Sequence, residues 1–193
     1  MSTPSTQPTV DCVYLARHGR TAYNAGGLLR GLSDPPLDDI GQAEAGKLAA
    51  ELAQRLPTAV LSSPLQRAVV TAQTIADAAG LAVIVDDRLN DRDYGPWTGK
   101  PRSEVEQRYG SLDNAPGVEP ADALATRARA AFFDIVTEYH GGPIVLVSHD
   151  AFNRALLHDL DPTLTDIPQP TACWNRLDLI DSYWHIIAIG RKP

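Results

Sequence analysis

Two histidines stand where an imidazole could do chemistry. Arg17-His18-Gly19 sits where a short apolar run, Val10 to Ala16, gives way to a turn. His149 ends a second apolar run, Ile144 to Ser148, far along the chain. In an open α/β sheet, ligands bind at the carboxyl ends of the strands. Arg67 falls at such a place, in the first turns of a helix that follows the short strand Ala59 to Ser62. Asp91 falls at another, after a strand Leu81 to Val85. Guanidinium groups match the oxygens of a doubly charged phosphoryl group in bidentate geometry. A neutral imidazole is a competent nucleophile near neutral pH. The set reads as an anion site in which one imidazole attacks phosphorus, and Arg17, Arg67 and a second imidazole hold the charge on its oxygens. A leaving alkoxide would need a proton, for which Asp91 and Asp150 are the carboxyl candidates.

The elements that must position these groups alternate between strand and helix, which points to an α/β fold. Asp38 to Leu56 reads as a helix with Ile40, Ala45, Leu48, Ala49, Leu52 and Leu56 on one face. Ser63 reads as an N-cap with Pro64 in the first helical position, and the helix through Ala79 stops at Gly80. Asp86 to Pro120 is irregular apart from a helix over Ser103 to Tyr109. A strong amphipathic helix spans Ala121 to His140, and Gly141-Gly142-Pro143 breaks it. Another helix covers about Ala151 to Leu160. Two late strands, Trp174 to Leu179 and Tyr183 to Ile189, flank Asp181-Ser182 and predict a hairpin.

Length and composition fit one soluble domain, 10–193, behind a disordered tail, 1–9. Lys and Arg total 17 against 24 Asp and Glu, a net charge of −7. That balance argues against a nucleic-acid or anionic-membrane surface, so arginine must be concentrated locally. Cys12 and Cys173 read as isolated buried thiols, not a disulfide framework. The N-terminus lacks the basic and apolar regions of a secretory signal, and the chain reads as cytoplasmic. Gly95 to Lys100 is one residue short of a phosphate-binding Walker loop, and Pro101 takes the hydroxyl position. His149-Asp150 lacks zinc-site spacing. His140, His158 and His185 have no motif partners and read as surface or structural groups, and Asp93 as a turn residue. Arg20, Arg30 and Arg92 stand evenly between substrate contact and surface charge.

Four segments together carry a family resemblance. Leu15-Ala16-Arg17-His18-Gly19-Arg20-Thr21 with Asn24 resembles the signature of the histidine phosphatase superfamily, the phosphoglycerate mutase-like proteins. Ser62 to Ala68 with Thr71-Ala72 resembles its second arginine motif, and Leu89-Asn90-Asp91 through Gly99 its acid-donor segment. Val147-Ser148-His149 resembles its second-histidine motif. The resemblance runs in family order from about residue 11 to 160. It implies a three-layer α/β/α sandwich with a mostly parallel sheet. It implies His18 as the phosphorylated nucleophile, Arg17, Arg67 and His149 as the phosphate pocket, Asn24 at its edge, and Arg30-Gly31 facing substrate. No metal and no cofactor are implied.

Two positions depart from the family pattern. Asp91 stands where the family usually has Glu. Asp150 stands where the short-chain branch usually has Gly, giving a His-Asp pair like that of the acid phosphatase and phytase branch. Asp91 is taken as the acid and Asp150 as the alternative. The expected activity is hydrolysis of a small phosphomonoester through a phosphohistidine on His18. A primer-dependent phosphoglycerate mutase is the second reading, disfavoured because the segment after Trp97 is shorter than the substrate-enclosing insertion of mutases. A non-catalytic phospho-ligand binding module is the third. Oligomeric state is left open, a homodimer included.

Overall fold

In the computed structural model, which describes residues 10–193, strand β1 (Cys12–Arg17) is buried along its whole length. A strand buried on both faces needs helices on both sides. The chain supplies them in order: α1 (Ala22–Ala25), α2 (Asp39–Ala53), β2 (Ala59–Ser62), α3 (Gln66–Ala79), β3 (Val83–Val85), α4 (Arg102–Tyr109), α5 (Ala121–Glu138), β4 (Ile144–Ser148), α6 (Asp150–Leu160), β5 (Trp174–Ile180) and β6 (Tyr183–Arg191). The sheet order is β3-β2-β4-β1-β5-β6. β1, β4, β2 and β3 pair in parallel, and β5 and β6 add an antiparallel edge. The expected tail at residues 1–9 lies outside the described residues.

Side chains alternate across each strand. Val13, Leu15, Leu61 and Leu146 pack with Phe132 and Ile135 of α5 and Leu156 of α6. Tyr14, Ala16, Val60 and Val147 pack on the other face with Leu48 and Leu52 of α2 and Ile75 of α3. The result is the expected three-layer α/β/α sandwich, with most of its strand pairs parallel. A third apolar cluster of Leu29, Tyr94, Val105, Leu112 and Ala115 joins the loop after α1 to the irregular stretch. Leu29 N–H donates to the Lys100 carbonyl at 2.9 Å, and Gly99 N–H donates to the Leu29 carbonyl at 2.8 Å.

Most element boundaries fall where the sequence puts them, with three corrections. The buried face of α2 is Gly41, Ala45, Leu48, Ala49 and Leu52, while Ile40 is half exposed and Leu56 lies beyond the helix end, largely exposed. The cause is a close approach of two backbones. A Cβ on Gly41 would lie 2.0 Å from the Arg20 carbonyl oxygen, and one on Gly19 would lie 2.4 Å from the Gly41 carbonyl oxygen. Helix α2 is thereby rolled so that Gly41, not Ile40, meets the loop carrying His18. The second correction concerns Ser63, which does not cap α3: that helix starts at Gln66 after Leu65, with no side-chain cap. The third is that the irregular stretch holds three single-turn 3₁₀ helices besides α4. Gly80 does end α3 in the left-handed conformation, at φ 69°. Asp181 and Ser182 both take positive φ, at 50° and 69°, as a two-residue hairpin turn requires.

Candidate active site

Register brings the two histidines together. Arg17 of β1 pairs with Ser148 of the neighbouring β4, so His18 and His149 leave adjacent strands at the same end. Their ring centroids lie 5.1 Å apart, and both side chains are fully buried. His18 Nδ1 lies 2.6 Å from the Gly19 carbonyl oxygen. A carbonyl can only accept, so Nδ1 carries the proton and Nε2 carries the lone pair. Arg67 Nε donates toward that Nε2 at 3.3 Å. The geometry therefore fixes Nε2 as the unprotonated nitrogen of His18.

Arg67 is fully buried on α3, which follows β2, the other neighbour of β4. Its guanidinium is locked by the Ser33 carbonyl at 2.6 Å, the Gly31 carbonyl at 2.9 Å and Asp91 Oδ2 at 3.1 Å. Asp91 is 2% exposed, and its Oδ1 accepts from the Arg92 backbone N–H at 2.9 Å. His149 Nδ1 lies 3.8 Å from Asp91 Oδ2, and His149 Nε2 lies 2.7 Å from Ser63 Oγ. The hydroxyl expected to cap α3 is thus engaged with the second histidine.

Above this buried cluster opens a cleft of about 350 Å³. Arg17, Arg20, Asn24, Arg30, Arg102 and Asp150 line it. Asn24 closes a capping box with Thr21, accepting from its backbone N–H and hydroxyl at 3.0 and 2.9 Å. Arg20 pairs with Asp38, and Asp150 pairs with Arg154 at 2.6 Å. Arg17 donates to the Gln169 carbonyl, but its Nε is buried without a partner. Arg30 Nε and His149 Nδ1 are also buried and unpartnered. Three of the six such side-chain atoms among the described residues thus belong to cationic or ionisable groups of this site. Buried polar atoms are ordinarily satisfied, so this concentration marks an anion-binding position.

Among the sequence candidates, Arg17, His18, Arg67, Asp91 and His149 come together, with Asn24, Arg30 and Asp150 on the cleft wall. Gly31 presents its backbone carbonyl to Arg67 at 2.9 Å. Arg92 is spent on Asp113 and the Glu119 carbonyl. Asp93 caps its own turn, accepting from Gly95 N–H at 2.7 Å. Sequence reasoning missed Ser63, Gln169 and Arg127. Arg127 anchors the acid segment by donating to the Asn90 and Asp91 carbonyls at 3.0 and 2.7 Å. Its signal was a guanidinium on the same helix as an apolar face, which by itself reads as solvated. No cluster of three or more His, Cys, Asp or Glu side chains able to hold a metal occurs among the described residues.

Burial holds His18 well below its ordinary value, and His149, Arg67, Arg17 and Arg30 add to the effect. Burial does the same to His149, with Arg67, Arg30 and Arg17 adding to it. Both imidazoles stay neutral in the fold where the unfolded chain would protonate them. As pH falls through about 6.5, the unfolded chain takes up two protons that the folded chain refuses. Stability then falls by an amount approaching about 2.7 kcal/mol per pH unit from this pair. Burial pushes Asp91 above its ordinary value, against the opposing pull of Arg67, and so works in the other direction at lower pH. Urea midpoints measured at pH 7.5, 6.5 and 5.5 are expected to drop steadily. His149→Gln should remove about half of that slope; a flat wild-type profile would refute the assignment.

The fold and the buried His-Arg-His cluster define a class. The profile of the histidine phosphatase superfamily (branch 1) matches residues 13–192, and the chain belongs to that family. Three mycobacterial relatives, one described as a bifunctional protein of Mycobacterium tuberculosis, are 37% identical over 145 residues. That match covers 70% of this chain and 40% of theirs, so the chain spans well under two thirds of their length. It is also similar to a glucosyl-3-phosphoglycerate phosphatase of Mycolicibacterium vanbaalenii, 34% identical over 74% of this chain and 70% of the relative. A solved phosphoglycerate mutase from Bacillus anthracis superposes with a TM-score of 0.85 at 21% identity, over 95% of this chain and 94% of the mutase. That likeness bears on the fold alone, and it agrees with the mutase-like architecture expected from sequence.

Proposed function

We propose that this protein is a phosphatase that hydrolyses a small phosphomonoester through a phosphohistidine on His18. The observation that carries the reading is the combination of an unprotonated Nε2 on His18, facing Arg67, with buried, unpartnered nitrogens on Arg17, Arg30 and His149. In the first step Arg17, Arg67 and His149 bind the phosphoryl oxygens, with Asn24 at the edge of the site. His18 Nε2 forms a bond to phosphorus as the ester P–O bond breaks. The Asp91 carboxyl gives its proton to the leaving oxygen. In the second step water, deprotonated by the Asp91 carboxylate, attacks phosphorus. The P–N bond breaks and orthophosphate leaves. Burial raises Asp91 from its ordinary value, the direction that favours the protonated form a general acid needs.

The same reading takes residues 10–193 as one catalytic domain without metal or cofactor, acting on a small phosphorylated molecule and not on nucleic acid or a membrane. No helix among the described residues is long and apolar enough to cross a membrane. Two buried free thiols, Cys12 and Cys173, accord with a reducing, cytoplasmic setting. A phosphate-release screen over a phosphomonoester panel tests the activity: release from at least one ester is expected. Phosphoglycerate isomerisation that depends on a bisphosphorylated primer would instead indicate a mutase. Phosphate binding with no release from any ester would indicate a binding module.

A further inference from the structure

Next to the arginine cleft lies a larger groove of about 730 Å³, the size of a small-molecule site. Tyr94, Arg102 and Asp150 line both spaces, so the two adjoin along these side chains. The walls of the groove come from the 3₁₀ turn Leu112–Asn114, α5, α6 and the segment after α6, and include Leu112, Leu124, Ala155, Leu164 and Ile167. The groove also carries charged groups, but these are spent within the chain. Arg92 bonds Asp113, Arg102 bonds Glu106, and Asp150 bonds Arg154. Asp159 pairs with Arg129, and His158 Nδ1 lies 3.2 Å from the Leu164 carbonyl oxygen. Beside these paired groups the groove offers a ligand the apolar surface of Leu112, Leu124, Ala155, Leu164 and Ile167.

The cleft is the opposite case. Arg17 and Arg30 keep buried nitrogens without partners, and no carboxylate pairs with either of them. Charge recognition is concentrated at one end and apolar contact at the other. A ligand fitting both ends has a phosphoryl group and, a short linker away, an apolar body.

We propose that this groove binds the leaving group of the substrate, and that the leaving group is an alcohol with an aryl or comparably bulky apolar body. The proposal rests on the phosphatase reading for its term "leaving group", and the test separates the two. Phenethyl phosphate and ethyl phosphate have alcohol leaving groups of similar acidity and differ by a phenyl ring. The matching phosphonates, which cannot be hydrolysed, report binding alone. Burying a phenyl ring is expected to give phenethyl phosphate a kcat/KM at least about tenfold above that of ethyl phosphate. Calorimetry is expected to give the same ratio of at least about tenfold in Kd for the phosphonates.

Ala155→Glu places a carboxylate in the groove and should bring both ratios toward one, in a protein whose circular dichroism melt stays cooperative. Leu164→Ser serves the same purpose should Ala155→Glu fail to fold. Equal kcat/KM and equal Kd in the wild type would overturn the groove and leave the phosphatase reading intact. Ratios unchanged in a folded groove variant would overturn it as well. Tight, selective phosphonate binding with no ester turned over would support the groove as an apolar subsite and remove the phosphatase reading.

Discussion

His18→Ala is expected to lower kcat by about four orders of magnitude or more while phosphate binding survives. The ground for so large an effect is that no other group can take over the attack. His149, the neighbouring imidazole, has its Nε2 engaged with Ser63 Oγ at 2.7 Å. Its Nδ1 lies near Asp91, not at the position of the His18 lone pair. Arg67 cannot substitute, because a guanidinium has no lone pair to give. Arg17, Arg67 and His149 remain in the variant, so orthophosphate should bind within about tenfold of wild type, measured by calorimetry. Wild-type enzyme quenched in alkali should carry base-stable, acid-labile phosphate, as a phosphoramidate does, and the variant should carry none. Hydrolysis that persists in His18→Ala would remove the covalent mechanism, and the binding cluster would then serve direct attack by water.

The buried cluster was legible in the sequence because its geometry is a consequence of topology. Residues that follow parallel strands gather at one sheet edge, and β1, β4 and β2 are immediate neighbours. A histidine or arginine just past each strand end is then brought together whatever the loops do. What was not legible depends on backbone atoms and on rotation about helix axes. The roll of α2 follows from Gly19 and Gly41 approaching each other, and apolar spacing alone favours Ile40 over Gly41. Gly31, Ser33 and Gln169 contribute carbonyls to Arg67 and Arg17, and a carbonyl leaves no mark in the residue type. Ser63 carries a real cap signal, Ser before Pro, but its hydroxyl gains more beside a buried imidazole than at an exposed helix start. Arg127 sits on an amphipathic helix where charge is the ordinary solvent-side choice, so its grip on the Asp91 segment is visible only in three dimensions.

The two aspartates are separable by the leaving group they serve. Asp91→Asn is expected to reduce kcat for alkyl phosphates by about 10²–10⁴-fold, because an alkoxide cannot depart without a proton. The same variant should lose much less on p-nitrophenyl phosphate, whose leaving phenolate is stable unprotonated. Asparagine is close in shape to a protonated aspartate and keeps an oxygen for Arg67, so the cluster should remain folded, checked by its melting curve. Asp150→Asn should change both substrates by less than about tenfold. Its carboxylate lies on the cleft wall at the start of α6, tied to Arg154 by a 2.6 Å contact, and is 22% exposed. Asp91, by contrast, shares Oδ2 contacts with Arg67 at 3.1 Å and His149 at 3.8 Å, inside the cluster that holds His18. The pH profile gives an independent reading. A general acid must be protonated, so the alkaline decline of kcat/KM on an alkyl ester should vanish in Asp91→Asn and persist in Asp150→Asn. A larger, leaving-group-dependent loss in Asp150→Asn would reverse the assignment and make the His149-Asp150 pair the proton donor, as in the acid phosphatase branch. The shorter reach of Asp91 relative to glutamate would then explain why a second carboxyl stands on the cleft wall.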